Sequence, residues 1–594
     1  MKGRFAYALP FGAEARRDGA THFRIWAPSV SEVALQIEGH SPAPMHRDRS
    51  GWFSTTVLCS PGAHYKFCLP DGTAVPDPAA REQVEDVHGF SKVVDPTSYF
   101  WRHDSWRGRP WHEAVVYEIH VGTVGGFRSL SRLLPRLSHL GVTAVELLPI
   151  AEFPGPRNWG YDGVLPFAPD AAYGTPADLK MLVDTAHGLG LMVILDVVYN
   201  HFGPDGNFLQ QYAAPFFRQD KKTPWGDAID FNIPEVREFY FHNAQYWLME
   251  YRFDGLRLDA AHAIGNRQFL TDLTTSIRQT VEPDRHVHLI LENEENDSAL
   301  LEHCYNAQWN DDMHHCLHVL LTGEIDAYYA DFAISPAQLL ARCLASGFAY
   351  QGEMSAYRGA PRGSPSDHLP PTAFIVCLQN HDQIGNRAFG ERLTQLANPL
   401  ALRAAITLLL LVPMIPLLFM GEEYGSREPF LFFTSHTGRL AEQVREGRRR
   451  EFAHFSAFAN PDNLVRIPDP NQSATFEASI PKLIGPDNPE SVSTYALYQS
   501  LLKVRHKHII PRIPGTTNLS AKAIAPAAVA ARWRMGDGFT LYLATNLGEE
   551  PVLIEPFAGA SLFESCPTAI DQARSGILAP LATVAFLERP PHDG

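Results

Sequence analysis

Four acids close short apolar runs in this chain: Asp196 in LMVILD (191–196), Asp259 in FDGLRLD (253–259), Glu292 in HVHLILE (286–292) and Asp382 in AFIVCLQNHD (373–382). Polar partners accompany them. His120 ends AVVYEIH, Asn200 and His201 follow Asp196, Arg257 precedes Asp259, Asp311 and Asp312 follow YNAQWN, and His381 adjoins Asp382. Two carboxylates in one pocket suit cleavage of a glycosidic bond. One stays ionised to attack or stabilise an oxocarbenium-like centre, and the other holds a proton for the leaving oxygen. Arg257 lies two residues before Asp259, so strand alternation points both to one face, where the guanidinium would keep Asp259 ionised. Glu292 ends an apolar stretch in which desolvation would raise its pKa and suit a proton donor. Asp382 offers a third charge or a grip on sugar hydroxyls. Any one of these acids alone has a plainer reading, because a strand-end Asp often caps the next helix. No serine or cysteine is placed as a nucleophile, and no P-loop or dinucleotide fingerprint occurs.

Those residues need a scaffold that gathers strand ends at one rim. Runs rich in Val, Ile and Leu recur at 114–121, 143–150, 191–198, 253–260, 286–294, 305–310, 373–382 and 414–423, with helical stretches between them. Continuous apolar runs fit strands buried on both faces, hence parallel strands with helical crossovers. Eight of them close a (β/α)8 TIM barrel, whose active groups sit at the C-terminal ends of the strands. The long gaps at 199–252 and 311–372 would hold excursions, and 358–371 reads as an irregular loop. Alternating runs at 23–28, 33–38, 52–57 and 64–69 suggest an antiparallel sandwich, and alternation returns at 528–535, 539–546, 551–556 and 582–589. The expected fold class is therefore α/β. A catalytic barrel over 100–514 is flanked by an N-terminal β-sandwich over 1–99 and a C-terminal antiparallel β-domain over 515–594.

Composition narrows the partners. Net charge is −16, with 45% hydrophobic and 11% aromatic residues, enough for a large core. An acidic surface disfavours nucleic acid and anionic membranes and leaves neutral polar ligands open. Seven cysteines, an odd number without CxxC spacing, argue against a disulfide framework and a thiolate metal site. The N-terminal stretch has no apolar core of a secretory signal. The apolar run Ile406–Met420 is interrupted by Pro413 and Pro416 and falls short of the roughly 20 residues of a bilayer span. A reducing, cytoplasmic location is expected.

DVVYNH (196–201), GLRLDAAH (255–262), ILEN (290–293) and LQNHD (378–382) resemble, in order and spacing, the four signature regions of the α-amylase superfamily, glycoside hydrolase family 13. The resemblance implies that Asp259 is the nucleophile, Glu292 the general acid/base and Asp382 the stabiliser of the transition state. It implies further that His201, Arg257 and His381 bind the sugar at the −1 subsite, with Tyr161 of WGYDG stacking on it and His262 contributing from the second region. FRIWAP resembles the start of the N-terminal sandwich of branching enzymes and isoamylases. The segments at 306–318, 379–393, 420–425 and 444–452 are similar to a narrower, trehalose-releasing branch. That likeness covers almost the whole chain. It implies hydrolysis, with retained configuration, of the α-1,4 bond next to the terminal trehalose of maltooligosyltrehalose. No cofactor and no metal are implied. The partners implied are maltooligosyltrehalose, related α-glucans and, as supplier of the substrate, a maltooligosyltrehalose synthase. Asp311, Asp312 and His314, then Gln383, Asn386 and Arg387, are expected to grip the trehalose end. The chain departs from the pattern in a short HVGTVGGF (120–127), in the acid-rich tail of ILENEEND (290–297), and in Ser435 where Asp is expected.

Two other functions are weighed: a glucan branching or debranching enzyme, disfavoured by the 379–393 segment, and a non-catalytic glycan-binding protein, disfavoured by three intact acids. His314 and His318 have the i, i+4 spacing of a metal pair but no HExxH context. Arg448, Arg449 and Arg450, flanked by Glu446 and Glu451, read as a solvated helix face or an interdomain contact. His506 and His508 read as surface residues.

Overall fold

The structure is a computed structural model describing residues 5–223, 225–453, 461–483, 488–557 and 559–590. The first four residues of the N-terminal stretch read above for a signal lie outside the described residues.

All eight apolar runs form strands of one closed parallel barrel: β1 (Val116–Ile119), β2 (Ala144–Leu147), β3 (Met192–Val197), β4 (Gly255–Leu258), β5 (His288–Leu291), β6 (Ala307–Trp309), β7 (Phe374–Val376) and β8 (Ile415–Phe419). Each pairs with the next, and β8 returns to β1 with Val116 opposite Leu417. Every residue of these strands is buried, which is why the runs lack alternation. Helices cover the outside. The helix Phe127–Leu140 buries Leu130, Leu134 and Leu137 on one face and stops at Gly141, whose φ of 109° suits glycine. The run Ile406–Met420 divides into the end of the helix Pro399–Leu411, a proline-containing turn and β8. No helix among the described residues is long and apolar enough to cross a membrane.

Two antiparallel sheets precede the barrel, one pairing Ala20–Trp26 with Trp52–Leu58, the other pairing Ala34–Ile37 with His64–Cys68. Arg81 joins them to the barrel through Glu250 at 2.5 Å. Lys180 reaches the same buried carboxylate at 3.0 Å. A five-stranded antiparallel sheet beginning at Thr517 lies at the other end of the chain. Its Thr583 donates to the Ala404 carbonyl at 2.8 Å, tying it to the helix Pro399–Leu411. The gap at 311–372 contains a helix, α1 (Asp311–Thr322), a second helix (Pro336–Ser346) and a small hairpin. Two further helices shape the rim: α2 (His381–Gly385), directly after β7, and α3 (Gly438–Phe452), after β8.

Candidate active site

Strand register sets the centre. Asp196 in β3 lies opposite Arg257 in β4, Asp259 follows β4 by one residue, and Glu292 follows β5 directly. Arg257 is 1% exposed and rests on the Trp309 ring at 4.1 Å. Its Nη1 donates to Asp196 at 2.6 Å and to Asp259 Oδ1 at 3.1 Å, while Nη2 donates to Glu292 Oε2 at 2.7 Å. One guanidinium therefore touches three acids. Asn200 donates to Asp259 Oδ2 at 2.7 Å, holding that carboxylate from the opposite side. Ala260 takes a left-handed conformation, φ 39°, and its N–H donates to Glu292 Oε2 at 2.9 Å. A side-chain-bearing residue adopts that backbone at a cost of roughly 1–2 kcal/mol. Here the cost accompanies a hydrogen bond to a catalytic candidate.

The electrostatics reverse the sequence expectation. Burial and the neighbouring Glu292 charge hold Asp259 well above the usual carboxylate range, despite Arg257. Burial acts upward on Glu292 as well, but Arg257 and the Ala260 N–H outweigh it and bring Glu292 below its ordinary value. The cause is geometric: Glu292 lies nearer the guanidinium than Asp259 does, and one of its oxygens collects two donors. Two acids this close titrate as a pair.

The other side of the centre is a relay of rings. Tyr161 donates to Asp196 at 2.7 Å and hydrogen-bonds His381 Nε2 at 2.9 Å, the two rings stacked at 5.2 Å. Glu118, inside the barrel on β1, takes His381 Nδ1 at 2.5 Å and its backbone N–H at 3.0 Å. Burial works against a charged His381, but Glu118 and Asp382 overcome it and raise the imidazole pKa. Burial pushes Asp382 up to about 6 against the pull of His381. Asn386 donates to Asp382 at 2.7 Å. His201, brought down to about 4 by burial, is neutral and lies under Trp225 at 5.5 Å. His262 reaches the same cleft, with its Nδ1 buried and without a hydrogen-bond partner.

The cleft has a volume of about 580 Å³ and brings together Tyr161, His201, Arg257, Asp259, His262, Glu292, His381, Asp382 and Asn386. The residues expected at the trehalose end divide. Asp311 stands near the centre, pushed up to about 8 by burial with Glu292 and Asp382 adding, and Gln383 approaches it at 3.4 Å. Asp312 does not face the cleft. Fully buried, it pairs with Arg362 at 2.6 Å and accepts from Asn296 and the Ala349 N–H. His314 is likewise turned inward, bonded to the Leu378 carbonyl at 2.6 Å and to the Tyr329 hydroxyl. Helix periodicity explains Asp312, which as the next residue on α1 points to another face than Asp311, whereas His314, three residues on and closer to the face of Asp311, is held inward by its bonds to Leu378 and Tyr329. Arg387 forms a two-pronged pair with Glu324 at 2.6 and 2.9 Å rather than an ion pair with Asp311. His318 bonds Glu324 at 2.8 Å, leaving His314 and His318 engaged with protein groups. His120, at a strand end, accepts from the Thr123 N–H and bonds the Asn158 carbonyl, serving the loop. Ser435 both accepts from and donates to the Arg157 backbone, at 2.9 and 2.6 Å.

Several cleft residues are not among those the sequence points to as site candidates: Trp159, Asp162, Trp225, Phe432 and Arg448. Trp225 is 48% exposed in a polar hairpin, and an isolated tryptophan in such a segment was the available signal. Arg448 was hidden in its arginine run. It is 8% exposed and lines the cleft, where a solvated face or an interdomain contact was expected.

A family model described as the alpha amylase catalytic domain matches residues 104–227, and one described as a domain of unknown function matches 517–586. The chain is 41% identical to the malto-oligosyltrehalose trehalohydrolase of Deinococcus radiodurans, over 84% of this chain and 82% of that protein. It is 40% identical to the protein of that name from Saccharolobus solfataricus, covering 84% and 87% of the two chains. Among solved structures it is similar to one described as a putative alpha amylase from Salmonella typhimurium, with a TM-score of 0.92 and 43% identity over 98% of this chain and all of that one.

Proposed function

The chain belongs to the malto-oligosyltrehalose trehalohydrolase family, and from that premise we propose that its cleft hydrolyses the α-1,4-glucosidic bond next to the terminal trehalose of malto-oligosyltrehalose, with Asp259, Glu292 and Asp382 as the acting acids. The observation that carries the assignment is Arg257, whose guanidinium bonds both Asp259 and Glu292 at the C-terminal rim of the barrel. Asp259 attacks the anomeric carbon while Glu292 protonates the departing oxygen. A covalent glycosyl-enzyme forms, and Glu292, now a base, draws a proton from water to release the sugar with retained configuration. Without substrate the shared proton favours Asp259. A bound sugar selects the productive arrangement, because its glycosidic oxygen receives the proton of Glu292 and its developing positive charge favours ionised Asp259. Asp382, Asn386 and His381 line the same sugar, Tyr161 stacks on it, and His201 and His262 complete the −1 side. We assign Asp311 and Gln383, which meet at 3.4 Å, and Arg387, paired with Glu324, to the trehalose end.

The reading extends to setting. Seven cysteines without a disulfide suit a reducing, cytoplasmic location. Such a substrate must come from an enzyme that turns the reducing end of a maltooligosaccharide into trehalose, a maltooligosyltrehalose synthase. The decisive assay offers maltopentaosyltrehalose and maltoheptaose separately. Release of free trehalose from the first, with slow cleavage of the second, is expected. Preference for maltoheptaose would leave a general α-1,4-glucanase, and transfer to a sugar acceptor would favour a branching enzyme.

A further inference from the structure

Of the three consecutive arginines on α3, one turns inward. Arg449 pairs with Glu446 at 2.9 Å on the surface, whereas Arg448 enters the cleft wall beside Val444, Gly447 and Glu451. Its guanidinium lies over two rings, 5.5 Å from the Phe432 centroid and 4.6 Å from that of Phe452. Its Nη1 donates to Glu451 at 2.9 Å. Its Nη2 donates to the backbone carbonyl of Gly385 and, at 3.3 Å, to that of Arg387.

Those carbonyls belong to the exit of α2, the single-turn helix that begins with His381 and Asp382. Asn386, between them in sequence, donates to Asp382 Oδ1. The turn is also packed closely at Gly385. A Cβ at Gly385 would lie 2.0 Å from the Trp159 ring, so the backbone there is in close contact with that indole. The turn carrying Asp382 is thus in contact with both Trp159 and the Arg448 cation. A cation at a helix C-terminus bonds carbonyls there and complements the dipole; the Arg387 carbonyl also accepts from the Gly390 N–H at 3.3 Å.

We propose that Arg448 is a positioning residue for Asp382: from α3, its guanidinium fixes the Gly385 and Arg387 carbonyls and so sets the orientation of the turn that presents His381 and Asp382 to the sugar. The proposal rests on the reading of Asp382 as a catalytic acid. It assigns a function to α3, which lies outside the barrel strands, lines the same cleft and bonds the turn that carries Asp382. Lysine at 448 supplies charge but lacks the second nitrogen with which the guanidinium holds Glu451 while bonding the carbonyls, and the planar group that lies over the two rings.

The test is a double-mutant cycle on malto-oligosyltrehalose. Arg448→Met is expected to lower kcat by about tenfold or more with KM changed less than about twofold, the split that follows when an interaction realised in the transition state is lost. In an Asp382→Asn background the same change is expected to cost less than about twofold, because residues acting as a unit are not additive. Arg448→Lys is expected to recover part of the loss, and methylguanidinium added to Arg448→Ala is expected to restore turnover. Those last two readouts stand in if the methionine variant does not fold. Equal losses in both backgrounds, a loss confined to KM, or no response to methylguanidinium would overturn the proposal while leaving Asp382 in its role. Normal turnover by Asp382→Asn alone would remove the reading of Asp382, and this proposal with it.

Discussion

At the residue scale the consequential contact is Arg257 with two acids at once. It makes Asp259 and Glu292 a coupled pair, and the pH dependence of kcat/KM belongs to the pair. Below the lower apparent pKa both acids are protonated and no nucleophile exists. Above the upper one both are ionised and no proton donor remains. A bell-shaped profile follows. Glu292→Gln should remove the alkaline limb, and a substrate with a good leaving group should recover part of the lost rate. If activated substrates gain nothing over the natural one, Glu292 is not the donor. Asp259→Asn should lower kcat by several orders of magnitude with the fold intact, since both covalent steps pass through it. A well-folded variant with near-normal turnover would remove the nucleophile assignment.

At the element scale, loops position groups that the strands cannot reach. Gly160 precedes Tyr161 with φ 106°, and a Cβ there would lie 2.2 Å from the Pro149 carbonyl oxygen. Gly160→Ala should therefore shift the loop, separate Tyr161 from Asp196 and His381, raise KM and lower the melting temperature. Unchanged kinetics would mean that Tyr161 finds its place without that turn. α1 separates two neighbours by function. Asp312→Ala leaves Arg362 buried without its partner, a loss of about 3–5 kcal/mol. Thermal denaturation should report it, with cleavage of malto-oligosyltrehalose and plain maltooligosaccharide affected alike. Gln383→Ala should instead change the ratio of the two rates, because its amide lies by Asp311 at the expected trehalose side. A selective effect of Asp312→Ala with unaltered stability would reverse these assignments.

At the scale of the whole molecule, stability against pH follows from acids buried behind the rim. Burial pushes Glu422, just beyond β8, up to about 8 and its neighbour Glu423 up to about 7. The folded chain keeps protons there that the unfolded chain releases near the ordinary value of 4.5. This contribution is complete below 4.5 and is lost as pH rises toward 8, with a slope of about 1.4 kcal/mol per pH unit for one group. Glu422→Gln does not titrate. Its melting temperature should gain on that of the parent between pH 5 and pH 8. Parallel melting curves across that window would show that Glu422 ionises freely.

The barrel was legible because its strands are buried on both faces: the chain must spell them as continuous apolar runs, and each run became a strand. The acids at their ends were legible for the same reason, since a polar residue closing such a run lies at the rim. Alternation likewise announced the flanking sheets. What the sequence could not decide was distance. Whether Arg257 favours Asp259 or Glu292 depends on tenths of an ångström between neighbouring strands, and the folded geometry chose Glu292. Nor could local pattern say which residue of a polar cluster faces the cleft. Asp311, Asp312 and His314 are close in the chain, but helix geometry and the Ala349 N–H place Asp312 in the core, and bonds to Leu378 and Tyr329 do the same for His314. Arg448 is the converse case. Its run reads as surface, and only the approach of Gly385, Phe432 and Phe452 from distant segments makes it part of the site. Short-range periodicity determines which elements form, whereas the partners of a charged group are set by contacts between segments far apart in the chain.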